Sequence, residues 1–121
     1  MEKEFVPYEQ ALALKELEFD EPCVAIFGKN NELSVDDGFY KQENYHKDTV
    51  LAPLYQQAFK WFREKYFYYA FLQPTSDLIS ENYCFKILDQ YSGKFYSKSY
   101  EKHEEAEYEC LKNLIEIVKK R

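Results

Sequence analysis

A chain of 121 residues has room for one compact domain of about 14 Å radius of gyration. Hydrophobic residues make up 45% and aromatic residues 19%, enough to build a core without metals or disulfides and too much for a disordered chain. The formal charge of −6 disfavours non-specific binding to phosphate backbones or anionic membranes, and no run approaches the roughly 20 apolar residues that cross a bilayer. Residues 1–21 carry most of the acidity, with seven acids against two bases, whereas residues 51–76 hold one acid and three bases. Acids near a helix start solvate it and favour its dipole, so this segment is read first as ordinary helix chemistry and second as an imitation of nucleic acid. MEKEFVPYEQ is charged where a secretory signal turns apolar, and the expected location is the cytoplasm.

The first predicted helix runs from Pro7 to Leu17, with Pro7 in the first turn and Ala11, Leu12, Leu14 and Leu17 forming a broad apolar face. Asp20, Glu21 and Pro22 end it. Cys23 to Phe27 is a continuous apolar run between Pro22 and Gly28 and reads as a strand, from which Leu33 to Val35 returns antiparallel. Residues 36–49 have no clean period and read as a long loop. Ala52 and Pro53 open a second helix carrying Leu54, Ala58, Trp61, Phe62 and Lys65 at helical spacing, with Trp61 as a core anchor and the Lys65 stem along the seam.

Phe67 to Leu72 is too aromatic for a helix and stops before Pro74, so it reads as a strand; residues 74–82 read as a loop. Tyr83 to Asp89 and Phe95 to Tyr100 flank Tyr91-Ser92-Gly93-Lys94, the clearest hairpin signal in the chain. The last helix, His103 to Lys119, places Ala106, Cys110, Leu111, Leu114, Ile115 and Val118 on one stripe. Its charges follow the dipole, with Glu in the first turns and Lys119, Lys120 and Arg121 at the end. The order α-β-β-α-β-β-β-α therefore predicts an α+β fold, a largely antiparallel sheet of about five strands with helices on one face. Three helix starts echo one another, at Tyr8-Glu9-Gln10-Ala11, Tyr55-Gln56-Gln57-Ala58 and His103-Glu104-Glu105-Ala106; helix-start chemistry accounts for this, with internal duplication as the alternative.

Three stretches, FVPYEQALALKELEFDEPC (5–23), LAPLYQQAFKWFREKY (51–66) and EEAEYECLKNLIEIVKK (104–120), resemble segments of small proteins from gut Bacteroidetes and their phages and mobile elements. The resemblance implies an origin and carries no activity, cofactor or site residue. Those proteins often have Gly where this chain has Glu18, and Thr where it has Lys102, which replaces a helix C-cap and an N-cap here. Residues 53–119 are also similar in element order to a double-stranded-RNA-binding domain. The chemistry opposes that function: the last helix opens with Glu101, Glu104, Glu105, Glu107 and Glu109 against Lys102 where such domains place a basic cluster.

No motif specifies a chemistry. Gly28, Gly38 and Gly93 are isolated, so no phosphate-cradling loop is available, and HExxH, GxSxG and calcium-loop patterns are absent. Cys23, Cys84 and Cys110 form no CxxC pair and leave an odd count; each lies in an apolar run and is expected to be a reduced, buried thiol. The expectation is therefore no enzyme, no metal and no cofactor. What stands out is an aromatic surplus, 12 Tyr and 10 Phe. Alternation groups Cys84, Lys86 and Leu88 on one face of a strand, and Tyr96, Lys98 and Tyr100 on one face of the next. If both lysines point to solvent, Tyr96, Tyr100, Lys86 and Lys98 share an open sheet face able to hold a protein partner or stack single-stranded bases. The leading expectation is an accessory protein of phage or mobile-element type acting on a protein partner, a second copy included. Its rivals are a single-stranded nucleic-acid binder and an acidic mimic of nucleic acid.

Overall fold

The computed structural model describes residues 4–28, 30–40, 49–74 and 82–120. The chain divides into two compact units, Met1–Tyr55 and Gln56–Arg121. The fold is α+β with antiparallel sheets, as expected, but six strands form two three-stranded sheets in place of one sheet of about five.

In the first unit α1 (Tyr8–Glu16) precedes β1 (Cys23–Phe27), β2 (Leu33–Tyr40) and β3 (Val50–Leu51), with strand order β2-β1-β3. Pro7 is the N-cap of α1, its fixed φ serving the chain's entry. The apolar face is narrower than expected: Gln10, Ala11 and Leu14 are buried, Leu17 is half-buried and Leu12 is exposed. The helix ends at Glu18, whose φ of 69° is left-handed. Glu18 N–H donates to Lys15 O (2.9 Å) and Phe19 N–H to Leu14 O (3.0 Å), the paired bonds of a Schellman motif, and Phe19 and Leu14, the positions where that motif carries its apolar pair, are both buried.

The β1–β2 hairpin forms as expected, but β2 runs on through Tyr40, beyond the expected end at Val35. Asp36, Asp37 and Gly38 have poor strand propensity and fall in an irregularity of the ladder: β1 pairs with Leu33–Val35 and again at Tyr40, with a register shift between Cys23 and Ala25. The rest of the expected 36–49 loop lies outside the described residues apart from Thr49, whose carbonyl accepts from Lys15 Nζ (3.0 Å). Strand β3 was not expected, because two residues carry no periodic signal. Val50 and Leu51 pair with Phe27 and Ile26 and are buried.

In the second unit α2 (Tyr55–Tyr66) leads into β4 (Tyr68–Pro74), β5 (Tyr83–Asp89), β6 (Phe95–Tyr100) and α3 (His103–Lys119), with strand order β4-β5-β6. Ala58, Trp61 and Phe62 are buried as the helical spacing requires. Lys65 is exposed, and its ammonium stands 5.0 Å from the Trp61 ring centroid, so it contributes a cation–π contact where a buried stem was expected. The six residues expected on the α3 stripe are the six it buries. Between Pro74 and Asn82 the expected loop lies outside the described residues. The sheets differ in which strand is central, the first after α1 and the second after α2, so the echo between the starts of α1 and α2 does not extend to a repeated sheet. No described helix is long and apolar enough to cross a membrane.

Candidate functional site

The geometry of the second sheet begins at the turn between β5 and β6. Asp89 Oδ1 accepts from Tyr91 N–H (3.0 Å), and Asp89 Oδ2 accepts from the Ser92 hydroxyl (2.9 Å). Gly93 takes the left-handed conformation at φ 73°, and its N–H donates to Asp89 O (2.8 Å). Asp89 N–H donates to Lys94 O, which leaves Gln90 to Gly93 as a four-residue loop. An even-numbered loop pairs odd residues with even ones across the hairpin: Phe85 faces Lys98, Ile87 faces Tyr96, Tyr83 faces Tyr100 and Lys86 faces Ser97.

Directly opposed residues share a face, so this register corrects the expected constellation. Tyr96, Lys98 and Tyr100 stay together but lie on the face of Tyr83, Phe85 and Ile87, and Lys86 lies on the other. The first face is covered by α3. Phe85 and Ile87 are 2% and 0% exposed, and Tyr83 meets the His103 ring edge-on at 5.3 Å. Tyr100 stacks on Phe85 with centroids 6.0 Å apart and planes 13° apart, and Lys98 Nζ lies 5.7 Å from the Tyr100 centroid. Tyr100 is thus half-buried packing at the rim of the helix-covered face, while Tyr96 and Lys98 are exposed on the edge strand.

The opposite face is the open one. Register places Tyr69 beside Leu88, Phe71 beside Lys86 and Gln73 beside Cys84. Across β5, Ser97 lies beside Lys86 and Ser99 beside Cys84. Phe71 is 42% exposed, Ser97 and Ser99 are exposed, and Tyr69, Lys86 and Leu88 are half-buried. Among the residues of this face whose burial is described, only the small Cys84 side chain is buried. Of the four residues expected in the site, Lys86 alone belongs to this face, which it shares with Tyr69 and Phe71 and, by its register opposite Leu88, with Phe95. Their signal was readable, since alternation along β4 separates Tyr69, Phe71 and Gln73 from Tyr68, Ala70 and Leu72; which set faced out depended on the pairing with β5.

A shallow cleft of about 680 Å³ opens at the start of α3, lined by Pro74, Asn82, Tyr83, Lys102 and His103 together with the carboxylates of Glu101 and Glu104. Lys102 is the helix N-cap and makes no side-chain cap bond. His103 Nδ1 lies 3.5 Å from Glu107 Oε1. The cleft mixes charge signs, and its donors and acceptors commit to no ligand class.

Cys23, Cys84 and Cys110 are all buried, as expected. Cys23 Sγ–H donates to Glu21 O (3.3 Å). Burial, and secondarily the Glu107 carboxylate, push the Cys110 thiol up to about 12, which suppresses the nucleophilic thiolate. Among the described residues no group of three His, Cys, Asp or Glu side chains is placed to hold a metal ion. No family model, curated protein or solved structure matches the chain.

Proposed function

We propose that the chain is a small non-enzymatic accessory protein of phage or mobile-element type, at work in the cytoplasm, that acts by binding another protein through the open face of β4-β5-β6. One observation carries this reading: Tyr69, Phe71 and Leu88 lie together on a sheet face opposite the one α3 covers, with Phe71 42% exposed. Aromatic side chains offer large contact area at low entropic cost, and a partly exposed group of them is the usual anchor of a protein interface. The resemblance to proteins of Bacteroidetes phages and mobile elements supports the phage or mobile-element origin and no more.

The same aromatic pair favours a second reading, stacking of single-stranded bases. Such binding needs a positive groove along the backbone, and among the described residues this face carries one lysine in a chain of net charge −6, so the protein partner is preferred. The test is a double substitution, Tyr69→Ser with Phe71→Ser, in an affinity pull-down from the native host. Wild-type chain should retain a partner that the variant loses while circular dichroism shows both folded. Retention unchanged by the substitutions sinks the proposal, and oligonucleotide binding that falls steeply with salt promotes the second reading.

A further inference from the structure

Lys86 occupies the middle of the open face. β5 is the central strand, and Lys86 sits between Phe71 on β4 and Ser97 on β6, with Cys84 and Leu88 on either side along the strand. The described neighbours on this face, Tyr69, Phe71, Gln73, Leu88, Ser97 and Ser99, carry no charge. Among the described residues no ion pair reaches Lys86, and its side chain is half-buried. An ammonium so placed would be desolvated by whatever covers the face, and its charge would then need a counter-charge from the occupant.

We infer that Lys86 selects the occupant of this face: a protein surface that is apolar apart from one carboxylate set against the ammonium, and not a second copy of the chain. The inference rests on the reading of this face as a docking surface. Two copies meeting face to face about a two-fold axis through the centre of the patch bring Lys86 against Lys86, because the middle position of the middle strand approaches its own mate. Like charges brought together in a desolvated contact oppose that dimer, while an opposing carboxylate is drawn in. One residue thus both rejects self-association and recognises the partner.

The charge-reversed chain itself is the probe for such a partner. Wild type and Lys86→Glu are sedimented separately and as an equimolar mixture at low salt, and Lys86→Leu is sedimented alone, with circular dichroism to verify folding. Each of the first two should run as a monomer, whereas the mixture should contain a heterodimer about tenfold or more tighter than either homodimer and weakened by salt. Lys86→Leu, which leaves the face uncharged, should self-associate; Lys86→Met serves in its place if the leucine variant does not fold. A mixture that associates no more than its components overturns the charge selection, and a wild-type dimer abolished by Phe71→Ser overturns the choice of partner. If the uncharged variant dimerises while the mixture does not, only the selection falls. If both stay monomeric, the reading of the face as a docking surface falls with it.

Discussion

Glu18 holds a backbone conformation that suits glycine. Its φ of 69° lies in the left-handed region, where a Cβ crowds the following carbonyl, yet the two Schellman bonds require that conformation to end α1. Glu18→Gly relieves the strain but adds freedom to the unfolded chain, for an expected net gain of about 0.5–1 kcal/mol by urea denaturation. Tyr96 and Tyr100 differ in the same measurable way. Tyr96→Ser should change stability by less than about 0.5 kcal/mol, and Tyr100→Ser, which removes the stack on Phe85, should cost about 1–2 kcal/mol. Equal costs would show that the two side chains do not differ in packing. For Cys110 the thiol rises from 9.0 to about 12 on folding, so the unfolded chain loses this proton first. The thiol's contribution to stability is therefore intact below about pH 9 and lost as pH rises toward 12. Chemical denaturation across that range should show a shallower decline in Cys110→Ala than in wild type.

At the scale of elements, α3 was the most legible and β3 the least. Seventeen residues repeat one apolar stripe over nearly five turns, so the buried set of α3 follows from spacing alone. Its start is less well made, since Lys102 has the extended N-cap backbone at φ −117° and ψ 143° but no side-chain bond to the first turn. Lys102→Thr should add such a bond and raise stability by about 0.5–1 kcal/mol, read as a shift in the denaturation midpoint with an unchanged slope. β2 was only half legible. Its first residues have strand propensity, whereas Asp36-Asp37-Gly38 lie in an irregular stretch between the pairs at Val35 and Tyr40, and the resumption of pairing at Tyr40 is something no local window contains.

Across the whole molecule, the acidic balance and the weakly charged open face imply a salt response. Binding of the protein partner should fall only modestly between low and physiological salt, because it involves a single pairing at Lys86, whereas phosphate binding through several contacts would fall by orders of magnitude. Isothermal titration of the captured partner at two ionic strengths distinguishes these outcomes, and a steep fall would contradict the protein-interface reading. Charge, composition and the lack of a phosphate loop or metal-ligand spacing were all readable from the residues, and they are what led the expectation toward binding.

The sequence by itself determined the three helices, most of the strands, the buried thiols and the α+β class, because each follows from spacing along one segment. Only the tertiary structure decided which residues share an open face. Alternation sorts a strand into two faces but does not say which of them α3 covers. The even loop from Gln90 to Gly93 puts Lys98 opposite Phe85, so Tyr96 and Tyr100 go to the helix side and Lys86 to the open side. The parity of that loop was countable from the chain. The division into two sheets was not, because it depends on which strands find each other, and that pairing is a long-range choice set by burial of both partners.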